Sequence, residues 1–239
     1  MEFRDYQKDI IDEGIDILSD KGFLYLAMEV RTGKTLTSLG IADAFDLDNV
    51  LFLTKKKAIS SIESDYKMLA PEFEIHVTNY ESMHKAPLTK WDLIVCDEAH
   101  SLGAFPKPSK RAKQVRELIK KNGKQPLVVL LSGTPTPESY SQMYHQVYGI
   151  PNNPFRKYKN FYRFGDDYVR VKQKKMNGLV INDYTEGLER IISEMQPHTI
   201  SYTQVEAGFK VDTREHVLRV QVSDRIHQIC NRLKRDLIV

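Results

Sequence analysis

The tightest constraint on this chain is a rhythm of short apolar runs, each followed by a polar turn and a helix-period pattern. Phe23–Met28, Asn49–Thr54, residues 92–96 and Leu127–Leu131 are almost continuously apolar, and residues 74–78 form a shorter, more mixed run. A strand with one face in water alternates apolar and polar residues, whereas a strand apolar throughout is covered on both faces. Between the runs, apolar residues recur at helical spacing. Ile11, Gly14, Ile15 and Leu18 share one face, as do Leu36, Leu39 and Phe45. Ile59, Ile62 and Tyr66 mark a helix over residues 56–69, and Ala112, Val115 and Ile119 follow a Ser109 cap. Strands alternating with helices predict an α/β fold: a central, mostly parallel sheet with helices on both faces. Ligands of such sheets bind beyond the carboxyl ends of the strands, so the polar residues that end the runs hold the chemistry.

Three of those ends are informative. Gly33-Lys34-Thr35 follows one run and opens a helix. Backbone N–H groups at a helix N-terminus cradle phosphates. Lys34 is placed to reach β- and γ-phosphates, and the Thr35 hydroxyl to bind Mg²⁺. The full P-loop pattern has a Gly where this chain has Met28. Asp97-Glu98-Ala99-His100 ends a second run, and such a tetrapeptide arises by chance in on the order of one chain in a thousand. Adjacent carboxylates suit a division of labour: Asp97 holds Mg²⁺ through water, and Glu98 orients and deprotonates an attacking water. Pleating is expected to send the two to different sides. Ser132-Gly133-Thr134-Pro135 closes a third run, where hydroxyls can bond His100 or Glu98 and register the nucleotide state.

Composition narrows the setting. A net charge of +3 is too small to imply nucleic acid, so any basic surface is local. Cys96 and Cys230 lack metal-ligand spacing and read as small core residues in a reducing, cytoplasmic compartment. The charged start excludes an ordinary secretory signal, and no apolar stretch approaches the ~20 residues of a membrane span. After Gly149 the texture changes. Residues 155–175 are basic and aromatic without clear period, residues 184–195 suit a helix, and 199–203 and 217–222 suit strands. Ser223 caps a last helix with Ile226, Ile229, Cys230, Leu233 and Leu237 on one face. The chain stops soon after that stripe, as expected of a cut within a longer protein.

Taken together, these segments resemble superfamily 2 helicases, and most closely the Swi2/Snf2 type, with spacing as terse as in phage and prophage members. Arg4-Asp5-Tyr6-Gln7 resembles that family's opening Leu-Arg-Pro-Tyr-Gln. Glu29 to Thr35 resembles its Glu-Met-Gly-Leu-Gly-Lys-Thr, and Asp97–His100 and Ser132–Pro135 resemble its motifs II and III. Thr78-Asn79-Tyr80-Glu81 and Ser109-Lys110-Arg111 resemble its nucleic-acid-contacting segments. The likeness spans residues 4 to 175. It implies a RecA-like P-loop NTPase domain over residues 1–150, completed by residues 151–239, with a second RecA-like partner domain not present in this sequence. It also implies MgATP as ligand, nucleic acid (by this flavour DNA) as track, and no membrane.

The residues carried over are Arg4, Tyr6, Gln7, Glu29, Arg31, Thr32, Gly33, Lys34, Thr35 and Leu36 for nucleotide. Lys34, Asp97 and Glu98 would serve catalysis, Thr35 and Asp97 the metal, and His100, Ser132 and Thr134 coupling. Lys55, Lys56, Thr78, Lys107, Ser109, Lys110 and Arg111 would meet nucleic-acid backbone. Arg31 stands where the family has Gly, and the family's aromatic after motif Ia is missing. The aromatics of residues 155–175 are expected to pack onto the domain, although stacking on bases is the alternative. The function expected is an ATP-driven helicase or translocase motor. Two others remain open: a nucleotide-gated DNA-binding module with little turnover, and the motor part of a restriction or nuclease assembly. A small-molecule kinase explains neither Asp97–His100 nor Ser132–Pro135.

Overall fold

The apolar runs are strands because each can feed two cores at once. In β1 (Phe23–Met28), Phe23 and Tyr25 enter the core on one face of the sheet, and Leu24, Leu26 and Met28 enter the core on the other. β2 (Asn49–Thr54) and β5 (Leu127–Leu131) divide their side chains in the same way. This arrangement is seen in a computed structural model that describes residues 2–87, 90–176, 179–209 and 223–236, with residues 217 and 221.

With β3 (Glu74–Asn79), β4 (Leu93–Cys96) and β8 (Thr199–Tyr202), the strands form a six-stranded sheet in the order β3-β2-β4-β5-β1-β8. Every pairing in it is parallel. The chain leaves β1, lays down β2 and β3 to one side, then fills the gap with β4 and β5. That crossover sets the carboxyl ends of β1, β5, β4 and β2 side by side.

Helices α1 (Asp5–Lys21), α2 (Lys34–Asp43) and α3 (Ile59–Leu69) cover one face through Ile10, Leu18, Leu39, Ile41 and Ile62. The other face is covered by α4 (Lys110–Lys121), α5 (Met143–Gln146), α6 (Phe161–Tyr168) and α7 (Arg190–Met195). Ser109 caps α4 by accepting from the Ala112 amide at 3.1 Å. The expected architecture is therefore present, parallel throughout the main sheet.

Several expectations need correction. Residues 155–175 are not irregular: they contain α6, and then β6 (Lys172–Met176) pairs antiparallel with β7 (Leu179–Asp183). The helix expected over 184–195 is confined to α7. The residues before it run alongside Val169, which bridges Gly187, and their backbone bonds go to that neighbour. Lys56–Ala58 form a 3₁₀ turn ahead of α3. Residues 210–239 belong to a second, small unit. In it, α8 (Asp224–Asp236) begins after Ser223 as expected, but Cys230 is exposed and not a core residue. Within that unit no described element covers the stripe of Ile226, Ile229 and Cys230. The strand expected over 217–222 lies almost wholly outside the described residues. Among the described residues no helix is long and apolar enough to cross a membrane.

Candidate active site

The loop after β1 is wound tightly around one carbonyl. Glu29 O accepts from the Thr32 hydroxyl (2.7 Å), the Thr32 amide (3.4 Å) and Lys34 Nζ (3.1 Å). Arg31 (φ 66°) and Gly33 (φ 83°) are both left-handed, and Gly33 is the N-cap of α2. The positive φ favours Gly at position 33, and a Cβ there would lie 2.5 Å from Gln7 Nε2, so the Gln7 side chain would have to move. Arg31 adopts the same kind of conformation with a side chain, and that side chain is exposed. Thr35 and Leu36 follow in the first turn of α2, both half-buried.

Across the cleft, the Asp97 amide donates to Leu53 O at 2.8 Å, continuing the pairing of β4 with β2. The Thr54 hydroxyl donates to Asp97 Oδ2 at 2.7 Å, and the buried Tyr80 hydroxyl donates to Asp97 O at 2.6 Å. Glu98 then turns left-handed (φ 53°). β4 ends at Cys96, so the pleat does not extend to this pair, and the two carboxylates take different partners next to the same cleft. Glu98 Oε1 accepts from Lys55 Nζ at 3.0 Å, and its Oε2 lies 3.4 Å from His100 Nδ1. His100 Nδ1 is also 3.0 Å from the hydroxyl of buried Ser132, which accepts from the Thr134 amide at 3.2 Å. The ends of β2, β4 and β5 are thus wired together.

Next to this network lies a cleft of about 560 Å³ bounded by Glu29, Val30, Lys34, Asp97, Glu98, His100, Gly133, Thr134 and Gln204. A more apolar groove of about 460 Å³ between Trp91 and α4 contains no Asp, so chemistry and not shape singles out the first. Burial lowers the Lys34 ammonium below its usual range, against the pull of Asp97, Glu98 and Glu29. Burial raises the Asp97 carboxyl, opposed by the Thr54 hydroxyl and reinforced by Glu98. Among the described residues no three His, Cys, Asp or Glu side chains cluster as a self-sufficient metal site. Asp97 in the cleft lining and Thr35, next to Lys34 in the first turn of α2, offer hard oxygen donors, which suits Mg²⁺, an ion usually held by one or two protein oxygens plus phosphates.

The opening segment supports the loop. Gln7 is only 5% exposed. Its Oε1 accepts from the Arg4 amide at 3.0 Å and its Nε2 points to Thr37 Oγ1 at 3.5 Å, so both ends of the amide are engaged within the chain. Tyr6 donates to Thr32 O at 3.1 Å and stacks on Tyr202 (4.8 Å between ring centres). Arg4 lies over Phe209. Gln204, which has no sequence signal, fastens the same loop: its amide donates to Glu29 Oε2 and its side chain to Val30 O, both at 2.8 Å.

The candidate nucleic-acid residues lie after β2, near the end of β3 and just before or at the start of α4, and they differ in availability. Lys56, Lys107 and Lys110 are exposed. Thr78 is buried at the end of edge strand β3. The Ser109 hydroxyl is spent on its cap, and Arg111 is paired with Glu81 and lies over the Tyr80 ring. Of the aromatics in 155–175, Phe155, Phe161, Phe164 and Tyr168 are core, while Tyr162 is exposed.

A glycine-capped loop facing a strand-end Asp-Glu pair across one cleft, on a parallel sheet covered on both faces, defines a RecA-like P-loop domain. The chain belongs, more narrowly, to the SNF2-related domain family, whose model matches residues 26–237. Among solved structures it is similar to the Sulfolobus solfataricus SWI2/SNF2 ATPase core in complex with dsDNA. Identity is 16% and the TM-score 0.64, with 87% of this chain and 46% of that chain covered. It therefore spans less than half the length of that structure. A weaker similarity is to the ATP-dependent Type ISP restriction-modification enzyme LlaBIII bound to DNA (19% identity, TM-score 0.41, 55% and 13% covered). Comparison with curated proteins yields no match.

Proposed function

We propose that the chain is the first motor domain of an ATP-driven DNA translocase or helicase, hydrolysing ATP in the cleft between β1, β4 and β5. The observation that carries this reading is the meeting of Lys34, Asp97, Glu98 and His100 around one cavity at the strand ends, with buried Ser132 bonded to His100 behind it. The amides of the Gly33 turn and the N-terminus of α2 receive the phosphates. Lys34, now resting on Glu29 O, moves to the β- and γ-oxygens, where its partly desolvated charge is better compensated. Mg²⁺, held by Thr35 and Asp97 when nucleotide is bound, would neutralise charge developing on the phosphates. Asp97, raised by burial, gains most from a neighbouring cation. Glu98 orients water and accepts its proton. His100 and Ser132 pass the state of the cleft to the end of β5. Lys56, Lys107 and Lys110 meet DNA phosphates with little sequence preference. Arginines that complete the site would come from a second RecA-like domain.

Hydrolysis measured with and without duplex or single-stranded DNA tests this. E98Q is expected to lose turnover by about 10²- to 10⁴-fold while still binding nucleotide. Equal turnover in E98Q overturns the assignment. A second reading, a nucleotide-gated DNA clamp, is favoured by one observation: both Glu98 oxygens face cationic or polar partners and neither is bare. It predicts nucleotide binding without turnover under every DNA condition.

A further inference from the structure

Adjacent residues at the end of β2 hold adjacent carboxylates: Thr54 binds Asp97, and Lys55 binds Glu98. The two contacts differ in exposure. Thr54 is fully buried, whereas the Lys55 and Glu98 side chains are 54% and 34% exposed. Lys55 lies on extended backbone (φ −81°, ψ 143°) immediately before the turn carrying Lys56 and Lys57. It thus stands on the border between the cleft and a basic surface. Its ammonium carries one charge, and two kinds of anion can compete for it: the Glu98 carboxylate, or a phosphodiester laid across Lys55, Lys56 and Lys57. Among the described residues, the other cations facing Glu98 are His100, if protonated, and Lys34, both inside the cleft. Lys55 is the one that also reaches outward.

We propose that Lys55 is a positioning residue that couples DNA-backbone binding to Glu98. Without DNA it occupies the carboxylate oxygen that must face the attacking water, and a backbone phosphate that draws Lys55 away frees that oxygen. The proposal rests on the ATPase reading above for the role of Glu98. It adds a direct link, one side chain long, between track and chemistry.

Coupling is reciprocal: if phosphate releases Glu98, then neutralising Glu98 must strengthen phosphate binding, and only through Lys55. The test is a double-mutant cycle on the affinity of a fluorescein-labelled DNA duplex, without nucleotide and at low ionic strength. The pair is exposed, and such pairs are worth little, so the expected effect is small. E98Q should bind about 2- to 5-fold more tightly than the parent chain. That gain should vanish in a K55A or K55Q background and persist with K55R. An equal gain in all backgrounds would mean that only the overall charge matters and would overturn the proposal, as would no gain. Failure of the ATPase reading looks different: it appears as unchanged hydrolysis by E98Q, measured on the same preparations.

Discussion

The cleft and the segment from Phe155 to Gly187 use the same residue types to opposite ends. At the cleft, Lys34, Asp97 and Glu98 gather where strands stop and line a space open to a ligand, with Lys34 bound to Glu29 O, Glu98 to Lys55 and the Asp97 carbonyl to Tyr80. In the second region the aromatics turn inward. Phe161 and Phe164 pack with Tyr144, Phe155 and Tyr168 into the core beneath the sheet, and Lys172 and Lys174 pair with Glu186 and Asp183. A basic, aromatic stretch is therefore no evidence of nucleic-acid binding until the backbone shows which way its rings face. Charged groups at strand ends are better evidence, because the strand offers no internal partner for them there.

The most forceful way to break this contrast is to exchange the readouts. E98Q should lose its rate by the factor given above with its unfolding midpoint almost unmoved, as surface substitutions seldom exceed ~0.5 kcal/mol. F164A should do the reverse, losing about 3–5 kcal/mol of stability from a fully buried ring. Denaturant unfolding and turnover, measured on both variants, decide the matter. A stable F164A with altered DNA affinity would move that ring from core to binding surface.

A smaller effect, about pH, sharpens the same comparison. His145 sits in the aromatic core, stacked on Phe161, and donates from Nδ1 to Ala104 O at 2.6 Å. Burial holds its imidazole down to about 4, only partly offset by that hydrogen bond. The folded value is below the unfolded one of 6.5. The contribution to stability is therefore fully present above pH 6.5 and is lost as pH falls towards 4, up to about 3 kcal/mol. Asp97 has the opposite sign: its folded value is raised by burial, so its contribution is present at low pH and lost as pH rises through that value. H145Q keeps a donor without the titration and should flatten the acid limb of the stability curve. An unchanged limb would place the sensitivity elsewhere.

The sheet, its strands and the cleft were legible because they depend on local signals: unbroken apolar runs, a Ser109 cap, and polar motifs at run ends. The left-handed turn at Glu98 was not legible, since such a conformation does not advertise itself in a Glu. The β6–β7 hairpin had a signal, Asn177-Gly178 between a basic and an apolar run, but lysines obscured the strand pattern. Strand order, the engagement of Gln7, the bracing by Gln204 and the pairing of Lys55 with Glu98 were not legible. Each joins groups that the chain separates, by 43 residues for Lys55 and Glu98, and register across a sheet decides them.

The smallest effect concerns Arg31, where sequence and structure meet most directly. The family pattern has Gly there, and the backbone is left-handed at φ 66°, which costs an L-residue about 1–2 kcal/mol. Glycine would remove that strain but add disorder to the unfolded chain, by roughly 0.5–1 kcal/mol. R31G should therefore stabilise the domain by less than about 1 kcal/mol, or ~2–4 °C in midpoint at this size. Strain retained without benefit is seldom expected at a phosphate loop, so the exposed guanidinium should aid nucleotide binding. R31A separates the two effects, since it keeps the strained backbone and loses the charge. If R31G and R31A lose nucleotide affinity equally while only R31G gains stability, Arg31 is a phosphate contact held at a conformational cost. If affinity is unchanged in both, the side chain is a bystander, and the loop tolerates the strain because the Glu29 carbonyl, bound by Thr32 and Lys34, already fixes its path.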